Sequence, residues 1–334
     1  GVDGLPVIGY FDDTNNDLKV AHCSDLACTS ATVTTVDSVG SVGYDTSMAV
    51  GADGLPLISY CDNTNDQLKV AHCSNFKCST ATTNVVDSGG EFQSTSITIG
   101  IDGLPVISYR DFTNRDLKVA HCGDLECGTA TTHAVDSGGD VGSYTSIAVG
   151  ADGLPVISYY DSTYDDLKVA HCGDLQCSTA TTNVVDSGGN VGWSTSITVG
   201  TDGLPVISYY DSTNNDLKVA HCSDVACSAA TTNVVDSGFL VGNHSSITVG
   251  ADGLPVISYF ASNQDDLMVA HCSDLECGVA TTYTVDSGGG VGLDTSIAVG
   301  ADGLPVISYY DLTAKELKVA HCSNVFCIPY ARRR

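Results

Sequence analysis

The sequence predicts an all-β fold, a seven-bladed β-propeller of four-stranded antiparallel blades, and two observations predict it. The tetrad Asp-Gly-Leu-Pro recurs along the whole chain at steps of 49 or 50 residues. Its copies begin at Asp3, Asp53, Asp102, Asp152, Asp202, Asp252 and Asp302. Each unit also contains four short β-branched or aromatic segments. One such sheet cannot bury both faces, whereas sheets arranged radially bury each face against a neighbour.

The fourth unit illustrates the predicted strands. The second strand is expected at residues 154–160, the third at 167–172, the fourth at 181–185 and the innermost at 196–199. Asp, Asn and Gly fill the connections, and no helix is predicted. We therefore expect a single domain over residues 1–334, with repeats starting near positions 3, 53, 102, 152, 202, 252 and 302. The alternative is an open all-β solenoid, which needs polar capping repeats at both ends.

Charge and hydropathy exclude two classes of partner. The chain has 13 Lys and Arg against 40 Asp and Glu, a net charge of −27, which repels nucleic acid. No apolar run approaches the roughly 20 residues that span a bilayer, so membrane insertion is not expected. The predicted partners are neutral or cationic surfaces, glycans or like chains.

Fourteen of the 15 cysteines form pairs five residues apart, and both members of a pair flank one predicted hairpin turn. Local disulfides are therefore expected, which place the protein in an oxidising, secreted or cell-surface environment. The pairs are Cys23 and Cys28, Cys73 and Cys78, Cys122 and Cys127, Cys172 and Cys177, Cys222 and Cys227, Cys272 and Cys277, and Cys322 and Cys327. Cys61 is the odd cysteine; a free, half-buried thiol is favoured over an intermolecular bridge.

A histidine precedes the first cysteine of every pair, as His171 precedes Cys172. Zinc or copper ligation by these groups is one hypothesis. Adjacent strand residues point to opposite faces, however, so the favoured interpretation is a structural histidine that is hydrogen-bonded between blades.

Acidic loops follow the second strand of most units, as at Asp161, Asp165 and Asp166. These three residues are the best calcium candidates, because Ca²⁺ prefers hard oxygen ligands. The spacing of a loop that wraps one ion is missing, and turn capping by Asp and Asn is the favoured explanation. No other cofactor is expected.

Residues 196–211, Ser-Ile-Thr-Val-Gly-Thr-Asp-Gly-Leu-Pro-Val-Ile-Ser-Tyr-Tyr-Asp, carry a family resemblance. They resemble the repeats of secreted bacterial β-propellers related to the sialidase-type Asp-box proteins. The resemblance implies that this stretch is an innermost strand, a tight turn and a second strand. It also implies that residues 172–177 occupy the Asp-box turn, with a cysteine pair in place of the Gly and Trp of that box.

The positions that depart from the repeat are spread over different units. They are Arg110, Arg115, His133, Trp193, Phe239, Leu240, His244, Ala261, Met268 and Lys315. An active site needs unlike groups that meet at one place, and these positions are not expected to meet. The sequence therefore favours a non-enzymatic, extracellular structural or adhesive module that is stabilised by disulfides and belongs to a larger surface assembly. The alternative is a multivalent lectin-like propeller in which Trp193, Tyr44 and Tyr144 stack on sugars. A calcium-binding propeller or a hydrolase ranks third.

The strand count predicts a gap in the first blade. Innermost strands occur six times, near residues 46, 95, 145, 195, 245 and 295, whereas second and third strands occur seven times. If residues 328–334 form the outer strand of the last blade, the first blade lacks its innermost strand. We expect that residues outside this segment, or a neighbouring chain by strand donation, fill that edge.

Overall fold

A computed structural model describes residues 1–238 and 240–328 and shows seven antiparallel sheets arranged in a ring. The first blade contains β1 (Val7–Asp12), β2 (Asp17–Cys23) and β3 (Ala31–Asp37). The second contains β4 (Val42–Val50), β5 (Pro56–Asp62), β6 (Gln67–Cys73) and β7 (Ala81–Ser88). The third contains β8 (Phe92–Ile99), β9 (Pro105–Asp111), β10 (Asp116–Cys122) and β11 (Ala130–Asp136).

The remaining blades repeat this order. The fourth contains β12 (Val141–Val149), β13 (Pro155–Asp161), β14 (Asp166–Cys172) and β15 (Ala180–Asp186). The fifth contains β16 (Val191–Val199), β17 (Pro205–Asp211), β18 (Asp216–Cys222) and β19 (Ala230–Asp236). The sixth contains β20 (Val241–Val249), β21 (Pro255–Ala261), β22 (Asp266–Cys272) and β23 (Ala280–Asp286). The seventh contains β24 (Val291–Val299), β25 (Pro305–Asp311) and β26 (Glu316–His321).

The apolar core lies between successive blades. Every residue of β13 is buried, as expected for a strand covered on both faces. One core cluster joins Val156 and Leu167 of the fourth blade to Ile197, Ile207 and Tyr209 of the fifth. This sharing of side chains between sheets is the physical reason that no blade is stable alone.

The ring closes between the last blade and the first. A Cβ atom placed on Gly4 would lie 3.2 Å from the Cβ of Ala301, in the turn before β25. The same contact joins Gly203 to Ala151 in the interior of the array, at 3.1 Å. The seven-bladed propeller is therefore confirmed, and the open solenoid is not what forms.

The first and last blades differ from the four-stranded prediction, because each has three strands in the described ranges. No described strand pairs with the inner edge of β1, so the predicted gap in the first blade is confirmed for these residues. The predicted outer strand of the last blade falls almost entirely on residues 329–334, outside the described residues. No helix in residues 1–238 and 240–328 is long and apolar enough to cross a membrane.

Seven disulfides join the predicted cysteine pairs, as between Cys172 and Cys177, whose Cα atoms lie 4.8 Å apart. Each closes the turn between the third and fourth strands of a unit, and the set fits an oxidising extracellular environment. Cys61 is free, as predicted, but it is fully buried and not half-buried. Burial raises the pKa of its thiol.

The repeated histidines lie within blades and not between them, so that prediction was wrong. His171 Nε2 lies 2.8 Å from Oδ2 of Asp152, in the Asp-Gly-Leu-Pro turn of the same unit. The other oxygen, Oδ1, accepts the backbone N–H of Leu154. The contact recurs in all seven units and fastens the third strand to the turn before the second.

The acidic loops show turn chemistry at the calcium candidates. Oδ1 of Asp161 accepts the backbone N–H of Thr163 at 2.9 Å. Asp165 adopts a positive φ of 62° and accepts a hydrogen bond from the Tyr160 hydroxyl. Burial and the charge of Asp161 raise the pKa of Asp166. Calcium binding at these residues stays a prediction.

Candidate functional site

Each innermost strand contains a β-bulge where its register with the second strand breaks, as between Ser143 and Ser146 of β12. One residue in each bulge has a positive φ between 48° and 55°, although none is glycine. These six residues, here called the bulge ring, are Asp45, Ser94, Tyr144, Ser194, His244 and Asp294. Bulges re-aim side chains and are over-represented beside active sites, and a positive φ in a non-glycine residue costs roughly 1–3 kcal/mol.

Sequence reasoning missed the bulge ring, although a signal was present. The two residues that follow each ring position are Thr-Ser or Ser-Ser in every unit, whereas the ring position varies among Asp, Ser, Tyr and His. A variable position within a nearly constant motif is where a repeat protein places specific chemistry.

Hydrogen bonds connect neighbouring members of the bulge ring. The backbone N–H of Ser94 donates to Asp45 at 2.8 Å, and that of Tyr144 donates to the Ser94 hydroxyl at 3.1 Å. Nδ1 of His244 lies 2.9 Å from Oδ1 of Asp294. These contacts cross between blades and join the ring members of the second, third and fourth blades and those of the sixth and seventh.

Two carboxylates of the bulge ring flank the first blade, which has no described innermost strand. Enclosure by protein raises the pKa of Asp45, and the negative charge of Asp294 raises it further. The hydrogen bond from His244 lowers the pKa of Asp294, whose side chain is 77% exposed. One carboxyl group is therefore shifted towards the protonated form and its neighbour towards the ionised form.

A cavity of about 370 Å³ opens beside the ring members Asp45, Ser94 and Tyr144, and Tyr44 and Arg110 also line it. The repeat that starts at Asp53 and ends in this part of the ring has 49 residues, whereas the other steps between successive tetrads are 50 residues. It lacks the glycine that packs closely against the third strand of the preceding blade, as Gly142 packs against Leu117. The cavity therefore lies where the repeat is interrupted.

Replacements at one repeated position of the second strands also shape this region. That position is a tyrosine in later units, at Tyr160 and Tyr210, whereas Cys61 and Arg110 occupy it in the second and third units. A cysteine is much smaller than a tyrosine, so the replacement at Cys61 removes bulk directly beside Tyr44, its partner across the ladder.

Arg110 is 9% exposed and donates from Nη2 to Asp140 at 2.5 Å. Its guanidinium also lies 4.7 Å from the centroid of the Phe112 ring. Its buried Nε has no hydrogen-bond partner among the described residues. Arg110 is thus a buried cation beside the cavity with one unused donor.

The structure brings two of the three predicted sugar-contact residues together. The rings of Tyr144 and Trp193 stack with centroids 5.7 Å apart, and Tyr160 lies 5.7 Å from Trp193. Tyr44 lines the same cavity as Tyr144 and packs on Phe11 at 3.9 Å. Binding of sugars by these aromatic residues stays a prediction.

The divergent positions are less scattered than the sequence indicated. Arg110, Trp193 and His244 lie on or beside the bulge ring, because ring closure gathers residues from different units at the centre. Met268 and Ala261 pair with neighbouring strands elsewhere in the sixth blade, and Phe239 lies outside the described residues. Arg110 lines the cavity, Trp193 stacks on Tyr144 beside it, and His244 contacts Asp294, so several divergent residues make contacts between units that the sequence did not indicate.

Solved structures with the same fold include carbohydrate-active enzymes. A polysaccharide lyase, an ulvan lyase, matches with a TM-score of 0.63 at 10% identity over 96% of this chain and 89% of that one. Its complex with -[GlcA(1-4)Rha3S]- gives a TM-score of 0.65. An α-L-arabinofuranosidase from Fusarium graminearum, bound to an iminosugar inhibitor, matches at 0.53 with 10% identity over 83% and 91% of the two chains.

A protein from Lactobacillus plantarum matches with a TM-score of 0.59 at 15% identity, over 93% of each chain. No family model matches this chain, and no curated protein matches it. The resemblance to Asp-box-related propellers is thus supported for the fold alone. The prediction of a non-enzymatic structural or adhesive module was wrong, because the neighbours named by activity are enzymes that act on carbohydrates.

Proposed function

We propose that this propeller is a carbohydrate-active enzyme that cleaves a glycan at the cavity beside the bulge ring. The observation that carries the proposal is the cavity lined by Asp45, Arg110 and Tyr144, and the pKa values of Asp45 and of its ring neighbour Asp294 are shifted in opposite directions. Such a separation is how one site obtains both an acid and a base. The carbohydrate-active neighbours support the same class of substrate.

The chemistry that this pair supports best is hydrolysis of a glycosidic bond. Asp45, with the raised pKa, donates a proton to the leaving oxygen as the general acid. Asp294, with the lowered pKa, stays ionised and acts as nucleophile or as base towards water. His244 is a positioning residue, because its Nδ1 holds Oδ1 of Asp294 at 2.9 Å.

A neutral glycan fits the charge of the site better than a polyanion. The net charge of −27 and the two ring carboxylates repel negative substrates at long range. Tyr144, stacked on Trp193, presents an aromatic face beside the cavity, and Tyr44 lines the cavity with it. Aromatic faces bind the apolar sides of sugar rings without needing a charge on the sugar. The seven disulfides support an extracellular location, where polysaccharides are accessible.

A second candidate reaction is β-elimination at a uronate, which Arg110 favours. Elimination develops negative charge beside the sugar carboxylate, and a preorganised cation stabilises that charge. The unpartnered Nε of Arg110 is such a donor, but Asp140 already neutralises the guanidinium. Hydrolysis is therefore the first candidate.

The test is to incubate the purified chain with neutral arabinose-containing polysaccharides and with ulvan. New reducing ends without the ultraviolet absorbance of an unsaturated uronate are the expected result; that absorbance would establish elimination instead. D45N and D294N are each expected to lower the rate by at least about a hundredfold. D165N is the matched control, because Asp165 is an exposed loop residue and asparagine occupies its position at Asn215. No cleavage of either class, or full activity in both ring variants, would refute the proposal.

A further inference from the structure

Among residues 1–238 and 240–328, an open groove separates the first blade from the last. The inner edge of β1 and the outer edge of β26 have no strand partner among the described residues. A cavity of about 430 Å³ lies between them, lined by Ile8, Tyr10 and Ala21 on one side and by Leu317 and Val319 on the other. This groove lies outside the cavity assigned to catalysis.

The residues that line the groove are of the same apolar types as the core residues of the other blades, but they are partly exposed to solvent. All six residues of β1 are partly exposed, whereas all seven residues of the equivalent strand β13 are buried. Leu317 and Val319 are also partly exposed, whereas their counterparts Leu167 and Val169 are completely buried. Apolar residues in a repeat are buried by the neighbouring strands, so these positions mark the place of strands.

A specific polar partner is also missing from the groove. At the next interface, the Tyr60 hydroxyl and the Lys69 amine both donate to Asp37 at the end of the outer strand β3. The same arrangement joins Tyr159 and Lys168 to Asp136. Each interface therefore uses a carboxylate from the outer strand of the preceding blade.

Tyr10 and Lys19 are the equivalents of these donors in the first blade, and no described outer strand faces them. Lys19 turns to Asp12 of its own blade, and the Tyr10 hydroxyl has no hydrogen-bond partner among the described residues. The groove therefore has a position for one carboxylate beside the unpaired Tyr10 hydroxyl, and Lys19 can share its amine between that carboxylate and Asp12, as Lys168 does between Asp136 and Asp161.

We propose that this groove binds an extended polypeptide segment with the sequence of the repeat itself, about 20 residues long. Its first strand completes the last blade beside β26, and its second strand completes the first blade beside β1. An aspartate between the two strands accepts hydrogen bonds from Tyr10 and Lys19. This inference does not depend on cleavage activity.

Residues 280–299 show what such a segment looks like, because they connect the sixth blade to the seventh. β23 pairs with β22 so that Asp286 lies opposite Leu267, and β24 pairs with β25 so that Ile297 lies opposite Ile307. In the same register, the bound aspartate lies opposite Leu317 and the bound isoleucine lies opposite Ile8.

The test uses a fluorescent synthetic peptide with the sequence of residues 280–299, which contains no cysteine, added to the full chain. Saturable binding at one peptide per chain and a higher melting temperature are expected, because a ligand of the folded state stabilises it. Replacing the peptide's aspartate at position 286 by asparagine should weaken binding about tenfold, since it removes a charge-assisted contact. A peptide of the same composition in scrambled order should not bind.

Two chain variants separate binding from folding. Y10F should weaken peptide binding with little change in the melting temperature of the chain alone. Y60F, the matched change at a filled interface, should lower that melting temperature and leave peptide binding unchanged. Equal binding of the scrambled peptide, or no binding at all, would overturn the proposal. So would a stable dimer in sedimentation that the peptide does not dissociate, because a second copy would then occupy the groove.

Discussion

The hydroxyl of Tyr259 in the sixth blade donates a hydrogen bond of 2.6 Å to Asp236 at the end of the fifth blade. At the equivalent interface between the third and fourth blades, Asp136 accepts hydrogen bonds from the Tyr159 hydroxyl and from the Lys168 amine. The same amine lies 3.4 Å from Asp161. In the sixth blade Met268 replaces the lysine and Ala261 replaces the second aspartate. The sixth blade therefore lacks both members of the ion pair that Lys168 and Asp161 form in the fourth blade. Asp236 keeps its hydrogen bond from the Tyr259 hydroxyl but has no cationic partner there in the part of the chain that the structure describes.

Restoring the cation should stabilise this interface. We expect M268K to raise the free energy of unfolding by about 1 kcal/mol, because Asp236 gains a partly buried, hydrogen-bonded partner. Urea titration at neutral pH measures the change. The matched control is K168M, which should lower the free energy of unfolding by about 2 kcal/mol, because it leaves Asp136 and Asp161 without their cationic partner. A destabilising M268K would contradict this account of the interface.

Acid should weaken the interfaces between blades. Burial opposes ionisation of Asp136 and Asp186, but hydrogen bonds from Lys168 and Lys218 lower the pKa of each carboxyl group overall. Because the folded pKa lies below the unfolded one, the stabilisation is present above about pH 4 and is lost as the pH falls through the folded pKa. Urea unfolding at a series of pH values should show this loss. D136N should reduce the slope, and an unchanged slope would count against the assignment.

Cys61 should be the only thiol that reagents detect. In the native protein at neutral pH its burial and raised pKa should prevent reaction. In denaturant without reductant, one thiol per chain should react, because the other 14 cysteines form disulfides. Several reactive thiols would show that some of these pairs are reduced.

One local disulfide should contribute modestly to stability. The double variant C172S/C177S should lower the free energy of unfolding by about 2 kcal/mol, the entropy of closing a loop of this size. Thermal or urea unfolding measures the loss. A much larger effect would mean that the turn also supports the neighbouring blade.

The pH dependence of cleavage should identify the roles of the two ring carboxylates. Activity should be highest between the lowered pKa of Asp294 and the raised pKa of Asp45, because only there is one group ionised and the other protonated. H244Q removes the main cause that lowers the pKa of Asp294, so the acidic limb should move to higher pH. H133Q is the control, since His133 lies in the outer strand β11. If H244Q only reduced the rate at every pH, His244 would not set the ionisation of Asp294.

The aromatic pair should affect substrate binding more than the chemical step. Y144A should raise KM up to about tenfold with a smaller change in kcat, because stacking is worth about 1 kcal/mol. Trp193 is the only tryptophan, so glycan binding should also change the intrinsic fluorescence. Y164A, at an exposed loop residue, should change neither quantity.

Local features of this protein were predictable from the sequence because their causes are local. The Asp-Gly-Leu-Pro period, the alternating strands and the cysteines five residues apart act within one unit of about 50 residues. They determined the number of blades, the disulfides and the gap beside β1. Even so, the sequence left the partner of His171 open, because only the turn geometry shows that Asp152 of its own unit reaches Nε2.

The candidate site depended on tertiary structure because its residues come from opposite ends of the array. Asp45 belongs to the second blade and Asp294 to the seventh, and they influence each other only after the ring closes. The β-bulges were also not predictable from the sequence, because the positive φ at Tyr144 follows from the strand register and not from the tyrosine itself. The sequence by itself therefore determined the repeating scaffold, whereas closure of the ring determined which of the residues that depart from the repeat lie close together.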